Sequence, residues 1–351
     1  MGLRELWISC AIGASLVAGS AVCAEPAEDW RLEILKESGI SSETADMEKL
    51  QNNHGISAKD LDEKIKHLSS EKFAEREQAQ KDIILMGKHV MPMLEALPRT
   101  DDPEISMRIG KILLSLKADG RWSKEALTER AMRSLLHDRK NPGVANPDGE
   151  LFVEFFNKAK PSVADGYRQL AFQSTQGLTG SVSDGMARFK GIHDNAGDQR
   201  FILRCKDLNG KQEFPDTFRI ESKLGGAEGG EGVYHVGISI GNIRALFHPG
   251  YASGAFRFER VDNHVAIIQN TPMGFTPPTG KLLLMSIEVT RLPKGDVSLD
   301  VTVSGAKEMF HNSRVIKAVD IGKLETIGLD RSGRSGGDGL FDDLIVDLGK
   351  P

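Results

Sequence analysis

The sequence predicts a chain of two classes: a small antiparallel helical module, then an all-β part built as an antiparallel sandwich. Three observations predict it. From Asp29 to Arg139 the apolar residues recur at helical spacing and glycine is sparse. Beyond residue 150, β-branched residues and glycine rise together in short runs broken by turn residues. Those runs have no long helical pattern between them, which excludes a parallel α/β sheet.

Ahead of both parts, residues 1–24 read as a signal peptide. Arg4 precedes an apolar run from Leu6 to Val22, which closes on Val22-Cys23-Ala24 before the polar EPAEDW. The run is too short and too rich in Gly and Ser for a membrane span of about 20 strongly apolar residues. A lipid-modified Cys23 would need a small residue just before it, where Val22 stands. The expected location is therefore periplasmic or secreted, with no stable membrane span. Of the three cysteines, Cys10 and Cys23 leave with the leader, so Cys205 has no partner for an internal disulfide. The 45 basic and 50 acidic residues form no long run of one sign, and the formal charge is −5, which argues against a nucleic-acid partner.

Residues 25–137 form the predicted helical module. In SSEKFAEREQAQKDIILMGKHV, Ser69 or Ser70 supplies an N-cap, and Phe73, Ala79, Ile83 and Met86 fall on one face. A short helix with Pro92 in its first turn follows, carrying Val90, Met93, Leu94 and Leu97. TDDPEISMRIGKILLSLK restarts with acids and Pro103, and Ile105, Ile109, Ile112, Leu113 and Leu116 make its stripe. Such helices need one another to bury their stripes. HDRKNPGVANPDGE, with two prolines and two glycines, reads as the boundary, and residues 138–150 as the linker.

Residues 151–351 carry the strand-like runs, among them GYRQLAFQS, RFILRCKDL, DTFRIESKL, GVYHVGISIGNIRALFH and AFRFERVDNHVAIIQN. Asn209-Gly210, Gly225-Gly226, Gly229-Gly230, Pro249-Gly250 and Lys294-Gly295 supply turn signals. KLLLMSIEVTRL and VSLDVTVSG flank PKGD and read as a hairpin, with Val297, Leu299, Val301 and Val303 on the buried face. In the final LFDDLIVDL, strict alternation places Leu344, Val346 and Leu348 with Asp342, and Phe341, Ile345 and Asp347 with Asp343. The glycines before it read as a turn.

Residues 68–116 resemble the HEAT-like helical repeats of exported bacterial proteins, through Phe73, Arg76, Glu77 and Ala79 and the closing Leu94 and Leu97. The pairs are too few for a solenoid, which needs about three. Residues 150–351 resemble the concanavalin A-like lectin/glucanase jelly roll, and its laminin-G-like branch in particular, through DGMARFKG, FRIESKL, YHVGISIGN and GLFDDLIVDL. That resemblance implies carbohydrate or extracytoplasmic protein binding, with glycoside cleavage in a subset.

Little in the sequence supports cleavage. The laminarinase-like Glu-x-Asp-x-x-Glu strand is absent, and Glu259 and Asp262 sit at a spacing that faces them apart. GISIG fits Gly-x-Ser-x-Gly, yet Ser239 lies within one strand-like run rather than on a strand-to-helix elbow. GGAEGGEG lacks the Lys-Ser/Thr and helix of a phosphate loop and reads as a hairpin loop. His235, His248, His264 and His311 read as scattered polar surface. The most ligand-like stretch is ALFHPGYASGAFRF, where Phe247, His248 and Tyr251 surround Pro249-Gly250, against the plainer reading that the rings cover the end of the core. No cofactor motif is present. Asp338, Asp342 and Asp343 could hold a structural calcium, against the plainer reading that they fix the turn. The expected function is an exported, non-catalytic binding protein whose helical module spaces or docks the sandwich, with a hydrolase or lyase using loop-borne carboxylates as the alternative. Mass spectrometry of the exported protein is expected to find an unmodified N-terminus at or near Glu25; a retained or lipid-bearing leader would contradict this reading.

Overall fold

The computed structural model describes residues 29–349 except 54–57, 87–89, 91–92, 95–96, 98–101, 119–123, 143–145, 147–150, 176–177, 192–196, 229–233, 253 and 334–335. The predicted leader, Pro92, most of the predicted linker and the second half of GGAEGGEG therefore lie outside the described residues.

The helical part contains α1 (Trp30–Glu37), α2 (Thr44–Asn53), α3 (Ala58–His67), α4 (Phe73–Leu85), α5 (Pro103–Ala118) and α6 (Lys124–Lys140). Asp29 caps α1 by accepting from Arg31 N, and Asp102 Oδ1 accepts from Glu104 N at 2.8 Å at the head of α5. Ala79, Ile83, Val90, Leu94, Ile112 and Leu116 bury together with Leu61 and Leu68, so the expected stripes of α4 and α5 do face inward. Phe73 does not join them. It is 64% exposed in the first turn of α4, its ring under the guanidinium groups of Arg76 and Arg108. Helix α6 runs on to Lys140, into the stretch read as the linker.

The β part is a sandwich of two antiparallel sheets. The first has the order β13 (Met309–Ile316), β12 (Val297–Ser304), β11 (Leu283–Arg291), β6 (Thr217–Gly226), β15 (Gly339–Asp347), β4 (Met186–Phe189), β3 (Gly180–Ser183), with β1 (Leu151–Glu154) beside β15. The second runs β10 (Ala266–Thr271), β9 (Phe256–Arg260), β8 (Ile243–Phe247), β7 (Tyr234–Ile240), β14 (Thr326–Gly333), β5 (Gly197–Arg204), β2 (Ala171–Ser174). The expected hairpin forms: β11 pairs β12 from Leu284↔Ser304 to Arg291↔Val297, across Lys294 and Gly295, both at positive φ. Val297, Leu299, Val301 and Val303 are buried as their alternation predicts. Phe189 reaches across the core, 5.0 Å from Phe201 of the second sheet, and lies 4.8 Å from Phe341 of its own sheet.

Several local readings change in the structure. GVYHVGISIGNIRALFH is two strands, β7 and β8, reversed at Gly241 with φ 55°. RFILRCKDL ends in a short helix, Cys205–Asn209. Gly225-Gly226 is not a turn but the end of β6, where a Cβ on Gly225 would stand 2.5 Å from Lys281 O. Residues 328–333, within the glycine-rich stretch before LFDDLIVDL that reads as a turn, belong to β14 and lie inside the second sheet between β7 and β5. In β15 the alternation breaks at a bulge between Asp342 and Ile345, where Asp343 takes φ 50°. The extra residue turns Phe341 onto the inner face with Leu344, Val346 and Leu348.

The outer side of β15 is where the helices attach. Ile345 joins Leu151, Val153 and Phe155 beneath Ile34 and Leu35 of α1 and Leu127, Ala131 and Leu135 of α6. Ion pairs also lie in this seam. Arg130 faces Asp347 at 3.6 Å, both nearly buried, and Arg168 reaches Glu33 at 2.8 Å and Glu154 at 3.3 Å. Two carboxylates share this arginine, and burial pushes the Glu154 carboxyl up to about 7, despite Arg168 and the Phe156 N–H it accepts.

Because the native pKa lies above the ordinary 4.5, this group favours folding below pH 4.5 and loses that contribution as pH rises through 7. Glu154→Gln should remove that fall. Urea unfolding is expected to show the wild type losing on the order of 2–3 kcal/mol more than the variant between pH 5 and pH 7.5.

Candidate functional site

Helices α1 and α6 cover the outer side of β1 and β15 in the first sheet, and the outer side of the second is the place where charged chemistry gathers. Its strands send Val236, Ile238, Ile243, Ala245, Phe256, Phe258, Leu329 and Phe201 into the core. Every alternate residue therefore points out. Cross-strand register places these in rows: Glu259↔Arg244↔Ser239↔Gly328, then Arg257↔Leu246↔Gly237↔Asp330↔Arg200, then His235↔Ser332↔Asp198. Gly237 and Gly328 leave the middle of this surface without side chains. A Cβ at Gly328 would run into Ser239 Oγ and stand 3.0 Å from Asp330 Oδ2.

Across that gap lies a network of three arginines and three carboxylates. Arg244 Nε is 2.6 Å from Glu259 Oε1, and its Nη1 donates to Asp198 Oδ2 at 3.0 Å. Arg257 Nη2 is 2.7 Å from Glu259 Oε2, and Arg200 Nε is 2.8 Å from Asp330 Oδ1 while its Nη2 donates to Ser239 Oγ at 2.7 Å. Arg244 and Asp330 are fully buried. Burial opposes the Arg244 charge, but Asp330, Asp198 and Glu259 outweigh it and raise the pKa. Arg257 goes the other way, lowered by burial and by Arg244 although Glu259 opposes this. The pairing is incomplete: Asp198 Oδ1, Asp330 Oδ2, Arg257 Nε and His235 Nδ1 are buried without a hydrogen bond.

The network reaches solvent at its edges. His264, 55% exposed, sits at φ 58° in the turn between β9 and β10. Its Nδ1 lies 2.6 Å from Arg244 Nη2, and its Nε2 3.3 Å from Asp198 Oδ2. At the far end is a line of rings: Tyr251 to His248 at 5.2 Å, and His248 to His235 at 5.1 Å. Both imidazoles are neutral. Burial, aided by Arg257, pushes His235 down to about 2, and burial lowers His248, whose Nδ1 lies 2.8 Å from Pro249 O.

The residues singled out in the sequence separate accordingly. Tyr251 is 54% exposed, His248 is nearly buried beneath it, and Phe247 points into the core with no exposure. Phe247 is therefore a core residue, because strand alternation turns it away from its neighbour. Asp338 accepts from Arg188 Nε at 2.6 Å and from Gly191 N at 2.9 Å, which fastens the turn before β15. Asp343 pairs with Lys223, while burial and the adjacent Asp343 push Asp342 up to about 7. Among the described residues no three His, Cys, Asp or Glu side chains gather as a metal site, so these three aspartates do not converge on one. His235 and His248 are not scattered surface; pairing of Val236 with Phe247 sets them side by side. Asp198, Arg200, Arg244, Arg257 and Asp330 were not singled out by sequence, and the cross-strand register alone assembles them.

No protein-family profile and no curated protein matches the chain. Among solved structures, it is similar to the alginate lyase Aly36B, with 9% identity and a TM-score of 0.38 over 56% of this chain and 96% of that one. It is also similar to the Emp47p carbohydrate recognition domain, with 10% identity and a TM-score of 0.33 over 55% and 95%. A third is the VIP36 exoplasmic/lumenal domain in its Ca2+/Man2-bound form, with 8% identity and a TM-score of 0.36 over 56% and 89%.

If the network is a unit, Arg244→Met leaves Glu259 and Asp198 without their shared cation. Denaturant unfolding is expected to show a loss of about 3–5 kcal/mol. Tyr251→Ala, at an exposed ring, should stay within about 0.5 kcal/mol of the wild type.

Proposed function

We propose that this is an exported carbohydrate-binding protein whose ligand lies on the outer side of the second sheet. The observation that carries the reading is the placement of an exposed Tyr251 ring and two neutral imidazoles beside a fixed set of guanidinium and carboxylate groups. A sugar needs an apolar face to stack on and polar groups at its edge, and this arrangement supplies both. Strand spacing of about 4.8 Å is close to the rise of a sugar residue, so rows across the strands suit an extended glycan. Helices α1 and α6 pack on the opposite side of the sandwich, at β1 and β15, which fits a HEAT-like module acting as spacer or docking unit.

The reading is binding without turnover. Each carboxylate of the network is already engaged by an arginine, and the Ser239 hydroxyl accepts from Arg200 inside β7, with no imidazole bonded to it among the described residues. The leader supports export. A glycan array with the mature chain is expected to show retention of at least one oligosaccharide without release of reducing ends. Tyr251→Ala should weaken that retention about tenfold with an unchanged far-ultraviolet circular dichroism spectrum. Turnover of the retained glycan would overturn the non-catalytic reading.

A further inference from the structure

We propose that the outer side of the second sheet selects a neutral, hydroxyl-rich saccharide over a polyanionic one, and that a ligand hydroxyl enters by taking the place of the His264 imidazole. This rests on the carbohydrate reading and narrows it.

The charge count is the first ground. Arg200, Arg244 and Arg257 face Asp198, Asp330 and Glu259, and His235 and His248 add no charge, so the surface is balanced. A polyanion gains from a surplus of cations, which a paired network lacks, and it would meet the Asp198 carboxylate at the rim. A neutral sugar meets neither penalty.

The second ground is the kind of hydrogen bond left unmade. Asp198 Oδ1 and Asp330 Oδ2 are acceptors without a hydrogen bond and Arg257 Nε is a donor without one, all three covered, so a ligand reaches this network only by displacing a group at its rim. A carboxylate or sulfate only accepts, so it cannot satisfy an aspartate. A hydroxyl does both.

His264 shows what fits there. With Arg244 donating to Nδ1, the proton lies on Nε2, which faces Asp198 Oδ2 at 3.3 Å. The imidazole thus accepts from the cation and donates toward the anion with two atoms of one neutral group. One sugar hydroxyl can repeat that pattern. His264 is exposed, and its left-handed backbone lies in a turn, so its side chain can swing away without disturbing a strand. Arg244 and Asp198 are otherwise covered.

Calorimetric titration of the mature chain tests this, using neutral hexasaccharides (cello-, laminari-, manno- and xylo-) against oligomers of alginate, polygalacturonate and heparin, at about 20 and about 300 mM NaCl. The expected result is a neutral ligand whose affinity changes less than about twofold with salt. Asp198→Asn should weaken it about tenfold. Because that variant disturbs the network, a thermal melt accompanies it, and His264→Gly gives an independent readout. Glycine suits the positive φ, and loss of the imidazole should tighten neutral-sugar binding about threefold or more. Unchanged or weaker binding by His264→Gly overturns the exchange. Binding confined to the acidic oligomers, and falling steeply with salt, overturns the selectivity while leaving the carbohydrate reading intact. If no saccharide of either kind binds, both fail.

Discussion

Strand β15 is the constraint on which the two parts of this protein depend. Its inner side closes the sandwich through Phe341, Leu344 and Val346, and its outer side offers Ile345 and Asp347 to the helices. One strand can serve two cores because successive side chains point to opposite sides. The bulge at Asp342–Asp343 adjusts the phase so that Phe341 stays inside while Ile345 faces out. Without that extra residue one of the two cores would lose its anchor.

The helical seam then fixes how the helices sit on the sandwich. Apolar residues of α1 and α6 spread over β1 and β15, and the buried contacts of Arg130 with Asp347 and of Arg168 with Glu33 and Glu154 fix the orientation. Buried pairs of this kind contribute little net stability but penalise misplacement, since a displaced partner leaves a bare charge. The second sheet lies across the core from this seam, and its polar side carries the arginine–carboxylate network, covered except at its rim.

That polar side keeps its own order by a similar rule. Six charged groups are held with little exposure, each in contact with an opposite charge, over two glycines that leave room for long arginine side chains to cross strands. A rigid, balanced surface of donors and acceptors is pre-organised for a polar ligand, because the cost of fixing those side chains is met in folding rather than in binding.

By itself the sequence determined the class of each part, the helical stripes of α4 and α5 and the β11–β12 hairpin. All of these rest on short-range periodicity or on composition, which a single stretch of chain displays. It also marked the turn at His248 and Tyr251 as ligand-like. Only the tertiary structure decided the rest. Strand β14 escaped notice because Gly328, Asp330, Arg331, Ser332 and Gly333 have poor strand propensity, and its neighbours on both sides stabilise it instead. Asp198 and Asp330 come from strands far in sequence from the β8–β9 pair that carries Arg244 and Glu259, and only the pairing register brings them together. Periodicity tells which way a residue points along its own strand; which strangers it meets is fixed by the order of the strands, and that order is a property of the packed sheet.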